Sequence, residues 1–290
     1  MKYQFIEDHR DKYPVRLMCR VLDVVRSGYY EWRKQPLSAR KMADLVLLMH
    51  IQDIFEQSRE TYGSYRVHAE LAEQGLRCGR KRVARLMQEY NVQPKTRQRF
   101  RVITTDSNHK LPVAPNRLNQ EFTADRPDQI WLTDITYVPT AEGWLYLAVV
   151  MDLYSRRIGG WAMSDSLHRQ LVIAALQMAI TTRRPPPGLL HHSDRGSQYA
   201  SDDYQTLLTK ARMLGTVPVS RKGNCYDNAP LESFFGTLKT ELVFHQHYPT
   251  KAEARLDIFE YIEVFYNRFR RHSALGYRSP VNYEALPFVA

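Results

Sequence analysis

Apolar positions recur at helical spacing through the first third of the chain and at strand spacing through the middle. Between residues 42 and 58, Leu45, Leu48, Met49, Ile51, Ile54 and Phe55 fall near a 3.6-residue period, which predicts a helix. Residues 64–74 predict a second helix, stopped by Gly75 as a C-terminal cap. Residues 80–90 predict a third, with Val83, Leu86, Met87 and Tyr90 inward and Asn91 as the stop. Helix, short turn, helix is the arrangement of a helix-turn-helix. Upstream, residues 14–25 read as helical. Ser27-Gly28-Tyr29-Tyr30 reads as a turn before Trp32, which leaves open a second helix-turn-helix or a packing arm. From 93 to about 123 the chain has Pro94, Pro112 and Pro115 and no clear period, as in an extended tether.

Strand patterns begin after about residue 124. Residues 129–138 (QIWLTDITYV) are strand-like, and 144–151 (WLYLAVVM) form the near-continuous apolar run of a strand covered on both faces. A third strand is predicted over 157–162 and an apolar-rich helix over 167–182. The Pro185-Pro186-Pro187-Gly188 stop then leads to a short strand over 189–192. A helix over 202–212, a strand over 216–219 and a helix over 229–243 complete a mixed sheet with helices on its faces. Residues 260–271 (EYIEVFYNRFRR) predict an amphipathic helix whose basic end suits docking on the core or on DNA. The expected division is a helical arm at 1–40, a DNA-binding helix-turn-helix at 41–92, a basic linker at 93–123, a catalytic core at 124–245 and a tail at 246–290.

Composition narrows the class. The 290 residues carry 43% hydrophobic and 25% charged side chains, which excludes wholesale disorder. No apolar run reaches the length of a membrane span, and the N-terminus lacks a secretory apolar segment. Cys19, Cys78 and Cys225 are scattered, which excludes a disulfide framework or a CxxC zinc clip and fits a reducing cytosol. The formal net charge is +10, and it is concentrated. Residues 77–101 hold nine basic side chains against one acid, Glu89, a net +8. A single-sign cluster points to nucleic acid, the alternative being a structural helix module with a solvated basic face. The candidate DNA contacts are Arg80, Lys81, Arg82 and Arg85 on the third helix and Arg97, Arg99 and Arg101 on the tether.

Three acids carry the candidate chemistry. Asp134 sits mid-strand on the parity of Ile130, Leu132 and Val138. Asp is depleted in strands, and an ionised carboxylate among apolar neighbours is costly unless paired or metal-bound. Asp194 directly follows an apolar strand, where open α/β sheets place their sites, although Asp there also serves as a turn or cap residue. Glu232 lies beside the stripe formed by Leu231, Phe234, Phe235, Leu238 and Leu242, within about 60° of Gly236 and Lys239. Gly236 would let a backbone approach closely, and Lys239 would hold a phosphate as a point charge. The plain alternative for Glu232 is a first-turn acid favoured by the helix dipole. Transfer between phosphodiesters needs its attacking and leaving oxygens neutralised in line, which two divalent ions about 3.5–4 Å apart achieve. Magnesium takes a few carboxylates and keeps other positions for water and phosphate. No Walker loop points to nucleotide hydrolysis instead.

Other residues have plainer expected roles. Trp131 and Tyr137 pack on the sheet, and Asp152 pairs with Arg156 or Arg157. Gln198 and Tyr199 touch DNA or cap a helix. Asn224, Asp227 and Asn228 shape the turn into the Glu232 helix, with Asn228 as its N-cap, and Cys225 packs. His191 and His192 are poor candidates for a hard magnesium site.

The motifs WLTDITYV, HHSDRGSQY and SRKGNCYDNAPLESFFGTLKTE closely resemble the DDE transposase domain of bacterial insertion sequences, in particular the OrfB product of the IS-three family. The tail YNRFRRHSALGYRSPVNYE, the front segments TYGSYRVHAEL and RKRVARLM, and the upstream CRVLDVVRSGYYEWR are similar to the same family, so the resemblance covers nearly the whole chain. It implies an α/β RNase H-like catalytic core, with a mixed five-stranded sheet flanked by helices, preceded by small all-α helix-turn-helix domains. It implies a catalytic, metal-binding triad of Asp134, Asp194 and Glu232, with Lys239 near the DNA end. The implied activity cuts element ends and joins their 3′-hydroxyls to target phosphodiesters. Two Mg²⁺ ions are implied, with Mn²⁺ as the expected substitute, and no covalent enzyme intermediate. Implied partners are duplex DNA (terminal repeats and target), further copies on paired ends, and an OrfA product or OrfA–OrfB fusion, with no membrane and a cytoplasmic, nucleoid-associated location. Starting at Met1 without an OrfA segment, the chain is expected to be OrfB alone. Residues 195–231 number 37, slightly more than the family's usual spacing, and the surplus falls near residues 210–219, a helix-to-strand connection. Two other classes stay open at this point: an end-binding regulator without chemistry, and a nuclease of the same fold that hydrolyses without joining.

Overall fold

The computed structural model describes residues 2–34, 38–95, 124–193, 196, 198–216 and 228–286. The chain divides into two units, Met1–Asp53 and Ile54–Ala290. In the first, helices α1 (Lys2–His9), α2 (Val15–Val21) and α3 (Arg26–Lys34) surround Ile6, Met18, Cys19 and Tyr29, with Tyr3 and Trp32 packed alongside. Residues 27–30 are therefore helical, not the turn expected from Ser27-Gly28. The glycine has a different cause: a Cβ at Gly28 would meet the Tyr3 hydroxyl. Tyr29 and Trp32, three apart, fall on one face of α3 with ring centroids 6.2 Å apart, and the Tyr29 hydroxyl donates to Glu7. The break lies earlier, after α2, where Asp23 takes a φ of +50°. Helix α4 (Ala39–Gln57) follows, and the division of the chain falls within it.

In the second unit, α5 (Ser64–Glu73) and α6 (Arg80–Glu89) pack as a pair through Val67 and Leu71 on one and Val83, Leu86 and Met87 on the other. Gly75 closes α5 with a φ of +80°, which an L side chain would resist, and Asn91 ends α6 at +55°. The sheet contains β1 (Ile130–Thr140), β2 (Gly143–Asp152), β3 (Ile158–Ser164), β4 (Leu190–Ser193) and β5 (Leu214–Thr216), in the order β3-β2-β1-β4-β5. The first three strands are antiparallel, and β4 and β5 join in parallel, so the sheet is mixed. The expected strand over 216–219 begins earlier, at Leu214, because Met213 and Leu214 already supply the apolar run; residues 217–219 lie outside the described residues.

Alternation fixes the two faces of the sheet. Trp131, Ala148 and Val150 meet α7 (Arg169–Arg183) and α8 (Asp202–Lys210) in one core cluster with Val172, Ala175, Leu176 and Tyr204. Leu132, Val138, Leu145, Leu147 and Val149, on the other parity, are equally buried. Helices α9 (Ala229–Glu241) and α10 (Lys251–Glu260) pack on β1, and α10 also on β2. The helix expected over 260–271 is instead the continuation of α10 as π-helical turns, Tyr261–Phe269, and of its basic end Arg268 is exposed while Arg270 and Arg271 are buried. A short helix α11 (Pro280–Glu284) ends the described chain. No helix among the described residues is long and apolar enough to cross a membrane.

Candidate active site and DNA-binding face

Asp134 lies half-buried in β1, opposite Val149 of β2, where Leu132 and Val138 place it on a buried face. Its Oδ1 accepts from the Ile135 amide at 2.7 Å. Among the described residues β4 pairs with β1 only over Ile130–Thr133, and Thr133 faces Ser193 in parallel register. Beyond that point α9 lies along β1. Asn228 Nδ2 donates to the Thr133 carbonyl at 3.3 Å, which ties the start of α9 beside Asp134. About three turns further on, the Lys239 Nζ sits 4.9 Å from the Tyr137 ring centroid, a cation–π contact. Helix and strand therefore run side by side from one anchor. Glu232, four residues past Asn228, is about 6 Å along the helix, and Asp134 is about 3 Å along the strand from Thr133.

The electrostatics agree with that placement. Burial lowers the Lys239 pKa, while the charge of Asp134 acts against the shift, so the ammonium senses that carboxylate. Glu232 is exposed on the first turn of α9, yet partial burial raises its carboxyl above the usual range. Tyr137 is raised by burial as well. A Cβ at Gly236 would meet nothing within 4 Å, so no backbone of the described residues approaches there as expected; the glycine leaves an open notch between Glu232 and Lys239. Asp194 lies outside the described residues, directly after Ser193. No group of three or more His, Cys, Asp or Glu placed for a metal occurs among the described residues.

Several secondary expectations are resolved. Trp131 is buried, and its Nε1 donates to Asp128 at 3.0 Å. Asn228 stands at the N-cap position of α9, but its side chain makes no capping bond and reaches β1 instead. Asp152 does not pair with Arg156 or Arg157. Its carboxylate accepts from the Asp128 and Ser155 amides, with Arg183 at 3.9 Å, because it is turned into the core. Burial pushes its pKa to about 6 against those amide bonds. The His191 ring bonds the Tyr204 hydroxyl at 2.9 Å, and burial holds its pKa down at about 3, so it is a core side chain and not a ligand. Tyr199 is buried, and its carbonyl accepts from Gln205, while the Gln198 carbonyl accepts from Ser201. Asn224, Cys225 and Asp227 lie outside the described residues.

On α6, Lys81 and Arg85 are exposed and Arg82 is half-buried. Arg85 pairs with Glu89 at 2.8 Å, and the Arg80 guanidinium lies 4.3 Å from the Tyr65 ring. Arg97, Arg99 and Arg101 lie outside the described residues. The start of the linker is held: Lys95 donates through its amide to the Glu60 carbonyl and through Nζ to the Arg59 carbonyl, both at 2.9 Å. Sequence reasoning missed the residues that seat α9 at its far end, Glu241 and Arg270. They are 29 apart, and no periodic signal links them. The paired arginines of the RFRR run were the one visible sign.

Comparison with known proteins gives a consistent picture. Family profiles described as Integrase core domain match residues 124–225 and 232–286, and one described as HTH-like domain matches 42–100. A 31 kDa protein of insertion element IS600 from Shigella sonnei is 50% identical over 263 residues, covering 91% of this chain and 96% of that protein. Transposase InsF of insertion sequence IS3A from Escherichia coli K12 is 43% identical over 290 residues, covering 98% of each. Among solved structures, a chain of the simian T-cell lymphotropic virus intasome with a PP2A regulatory subunit is 17% identical, with a TM-score of 0.48, covering 77% of this chain and 72% of that one.

Proposed function

Because the chain belongs to the transposases of IS3-family insertion sequences, with an integrase core of RNase H-like fold, we propose that it cleaves element ends and transfers their 3′-hydroxyls using Asp134, Asp194 and Glu232. The observation that carries this reading is the seat of α9 on β1. The Asn228–Thr133 bond brings the first turn of α9, with Glu232, to the strand level of Asp134, and Lys239 senses Asp134 from the same helix. Thr133 and Ser193 are register partners in parallel strands, so the end of β4 among the described residues lies beside the residue before Asp134.

The donor chemistry fits a hard divalent cation. Asp134 and Glu232 offer carboxylate oxygens, the raised Glu232 pKa is the kind of shift a nearby cation would reverse, and the neighbouring His191 is engaged in the core. Asp134, Asp194 and Glu232 would hold Mg²⁺, in two ions, with Mn²⁺ as a substitute. When bound, the metal supplies charge neutralisation at the attacking and leaving oxygens. The chain itself supplies orientation. Burial of Leu132, Val138 and Val149 holds the Asp134 backbone rigid, and the partly desolvated Lys239 presents its charge to a phosphate on the same face. Residues 41–92 and the linker 93–123 would grip duplex DNA through Arg80, Lys81, Arg82, Arg85, Arg97, Arg99 and Arg101. Residues 124–245 would carry the chemistry, and 246–290 would close on the core. Further copies on paired ends, an OrfA product or fusion, and a cytoplasmic, nucleoid-associated location complete the reading.

The test mixes the protein with duplex oligonucleotides carrying its own element's ends and Mg²⁺. Joined products that vanish in Asp134→Asn and Glu232→Gln are expected. End binding without nicking under any divalent metal would replace the reading with a regulator, and nicked ends that never join would replace it with a nuclease.

A further inference from the structure

Two consecutive tail residues point their guanidinium groups at different elements. Arg270 grips Glu241, the last residue of α9, with a two-bond fork: Nε to Oε2 and Nη2 to Oε1, both 2.7 Å. The Tyr261 hydroxyl donates to the same carboxylate at 2.8 Å. The two side chains are 5% and 7% exposed. Arg271 turns the other way, to α5. Its Nε and Nη2 donate to Glu70 and Glu73, and its Nη1 to the Tyr277 carbonyl. Its own amide donates to the Tyr62 hydroxyl at 2.8 Å, and its carbonyl accepts from Arg66 Nε at 3.0 Å. Arg66, on α5, also lies 3.8 Å from Glu241. The first helix of the DNA-binding pair, the tail and the end of α9 thus share one bonded joint.

A buried ion pair of this kind is seldom present for stability, since apolar side chains of similar volume do as well. What a bidentate fork adds is direction. Among the described residues, helix α9 is tied to β1 at its start by the 3.3 Å bond from Asn228 and held at its end by this fork. Glu232 lies nine residues before Glu241, about 13 Å along the axis. A tilt of a few degrees at Glu241 therefore moves Glu232 by about 1 Å, a misplacement that can cost about 100-fold in rate.

We propose that Arg270 and Arg271 are positioning residues for strand transfer, locking α9 to the α5–α6 pair so that duplex gripped on α6 sets the height of Glu232 and Lys239. This rests on the reading of α9 as a catalytic helix. Because Glu70 and Glu73 are partly exposed, at 26% and 59%, Glu70→Gln with Glu73→Gln removes the charge pairs of Arg271 with α5, leaving the Arg66 contacts and the buried fork in place. Arg271→Lys, which keeps the charge and loses the separately aimed bonds to Glu70 and Glu73, is the second variant. Each is compared with the unaltered full chain for affinity to end duplex, joining at saturating duplex, and hydrogen exchange of α9 with and without duplex. The expected result is unchanged affinity, joining reduced by about 10- to 100-fold, and loss of the protection that duplex confers on α9. Unchanged joining in both variants, or α9 protection that persists, overturns the proposal. If Asp134→Asn still joins, the catalytic reading fails; if it is dead while the joint variants join normally, the joint alone fails.

Discussion

The arginines of α6 and those at the end of α7 and in the tail have the same chemistry and opposite surroundings. On α6, Arg85 is exposed and meets Glu89 at the surface, and Arg80 lies on a tyrosine ring. Arg183 and Arg270 are 8% and 5% exposed, and each is forked onto a carboxylate. Arg183 takes both oxygens of Asp128 at 2.9 Å and also reaches Glu284 at 2.8 Å. The difference lies in the company each keeps. A buried guanidinium requires a partner charge, so its field is cancelled where it stands. Residues 77–101 have one acid for nine bases, so their charge is not balanced within the segment. Local charge balance, more than the number of basic residues, separates a gripping surface from an internal strut.

The sharpest way to break this comparison is to remove one strut. Arg270→Ala leaves Glu241 buried without its fork, and the expected loss is about 3–5 kcal/mol of unfolding free energy. Replacing both Arg270 and Glu241 with Met should recover part of that loss, because Glu241 is no longer stranded although the Tyr261 hydroxyl loses its acceptor. Urea unfolding of the three proteins checks both statements. A single-variant loss under about 1 kcal/mol would mean that the pair is effectively solvated, and the distinction between the two arginine sets would go with it.

How much of this was legible in the sequence follows from the range of each interaction. The strands around Trp131 and Tyr146, the α5–α6 pair and the first turn of α9 depend on spacings of two to four residues, and those patterns stand in the sequence itself. Gly28 misled because a glycine within a helix resembles a turn, whereas its cause is the Tyr3 ring brought over from α1. Asp152 misled because Arg156 and Arg157, its nearest cations in sequence, meet it through their backbones, while the guanidinium beside its carboxylate is that of Arg183, 31 residues on. Asp134 was visible as a carboxylate in an apolar strand. The Asn228 tie and the Arg270–Glu241 fork, which seat the helix facing it, span 95 and 29 residues and leave no periodic trace.

The cluster around Arg183 offers a test by pH. Burial raises the Asp152 pKa from 3.8 to about 6. A carboxyl that binds its proton more tightly when folded contributes its full stability below about pH 3.8. It loses that contribution as pH climbs toward 6, and its cost is constant above. Two pKa units correspond to about 3 kcal/mol. Relative to Asp152→Asn, the unaltered protein should therefore lose about that much stability between pH 4 and pH 6, read from urea midpoints at each pH. Glu284, in the same cluster, runs the other way: burial pushes it up, but its bonds to Arg183, Arg157 and Ser155 prevail and hold it below the usual carboxylate range. Its contribution is present above the unfolded value of 4.5 and lost as pH falls. A stability difference that stays flat across the window would mean that Asp152 is solvated enough to titrate normally.

The smallest effect on folding should come from the set with the largest effect on DNA. On α6, Lys81 and Arg85 are exposed and Arg80 is half-buried against Tyr65, and the Arg85–Glu89 pair is an exposed i,i+4 contact worth about 0.3–0.5 kcal/mol. Replacing all three with Ala should shift the unfolding free energy by about 0.5 kcal/mol per site or less, with Ala's helix propensity offsetting part of the loss. Affinity for duplex should fall at low salt, and the slope of log affinity against log salt should flatten by about one unit per lost phosphate contact. Stability and salt slope thus separate the two arginine sets on independent axes. An unaltered slope would assign α6 to the same structural role as Arg183 and Arg270, and the net +8 of residues 77–101 would have to act through the tether.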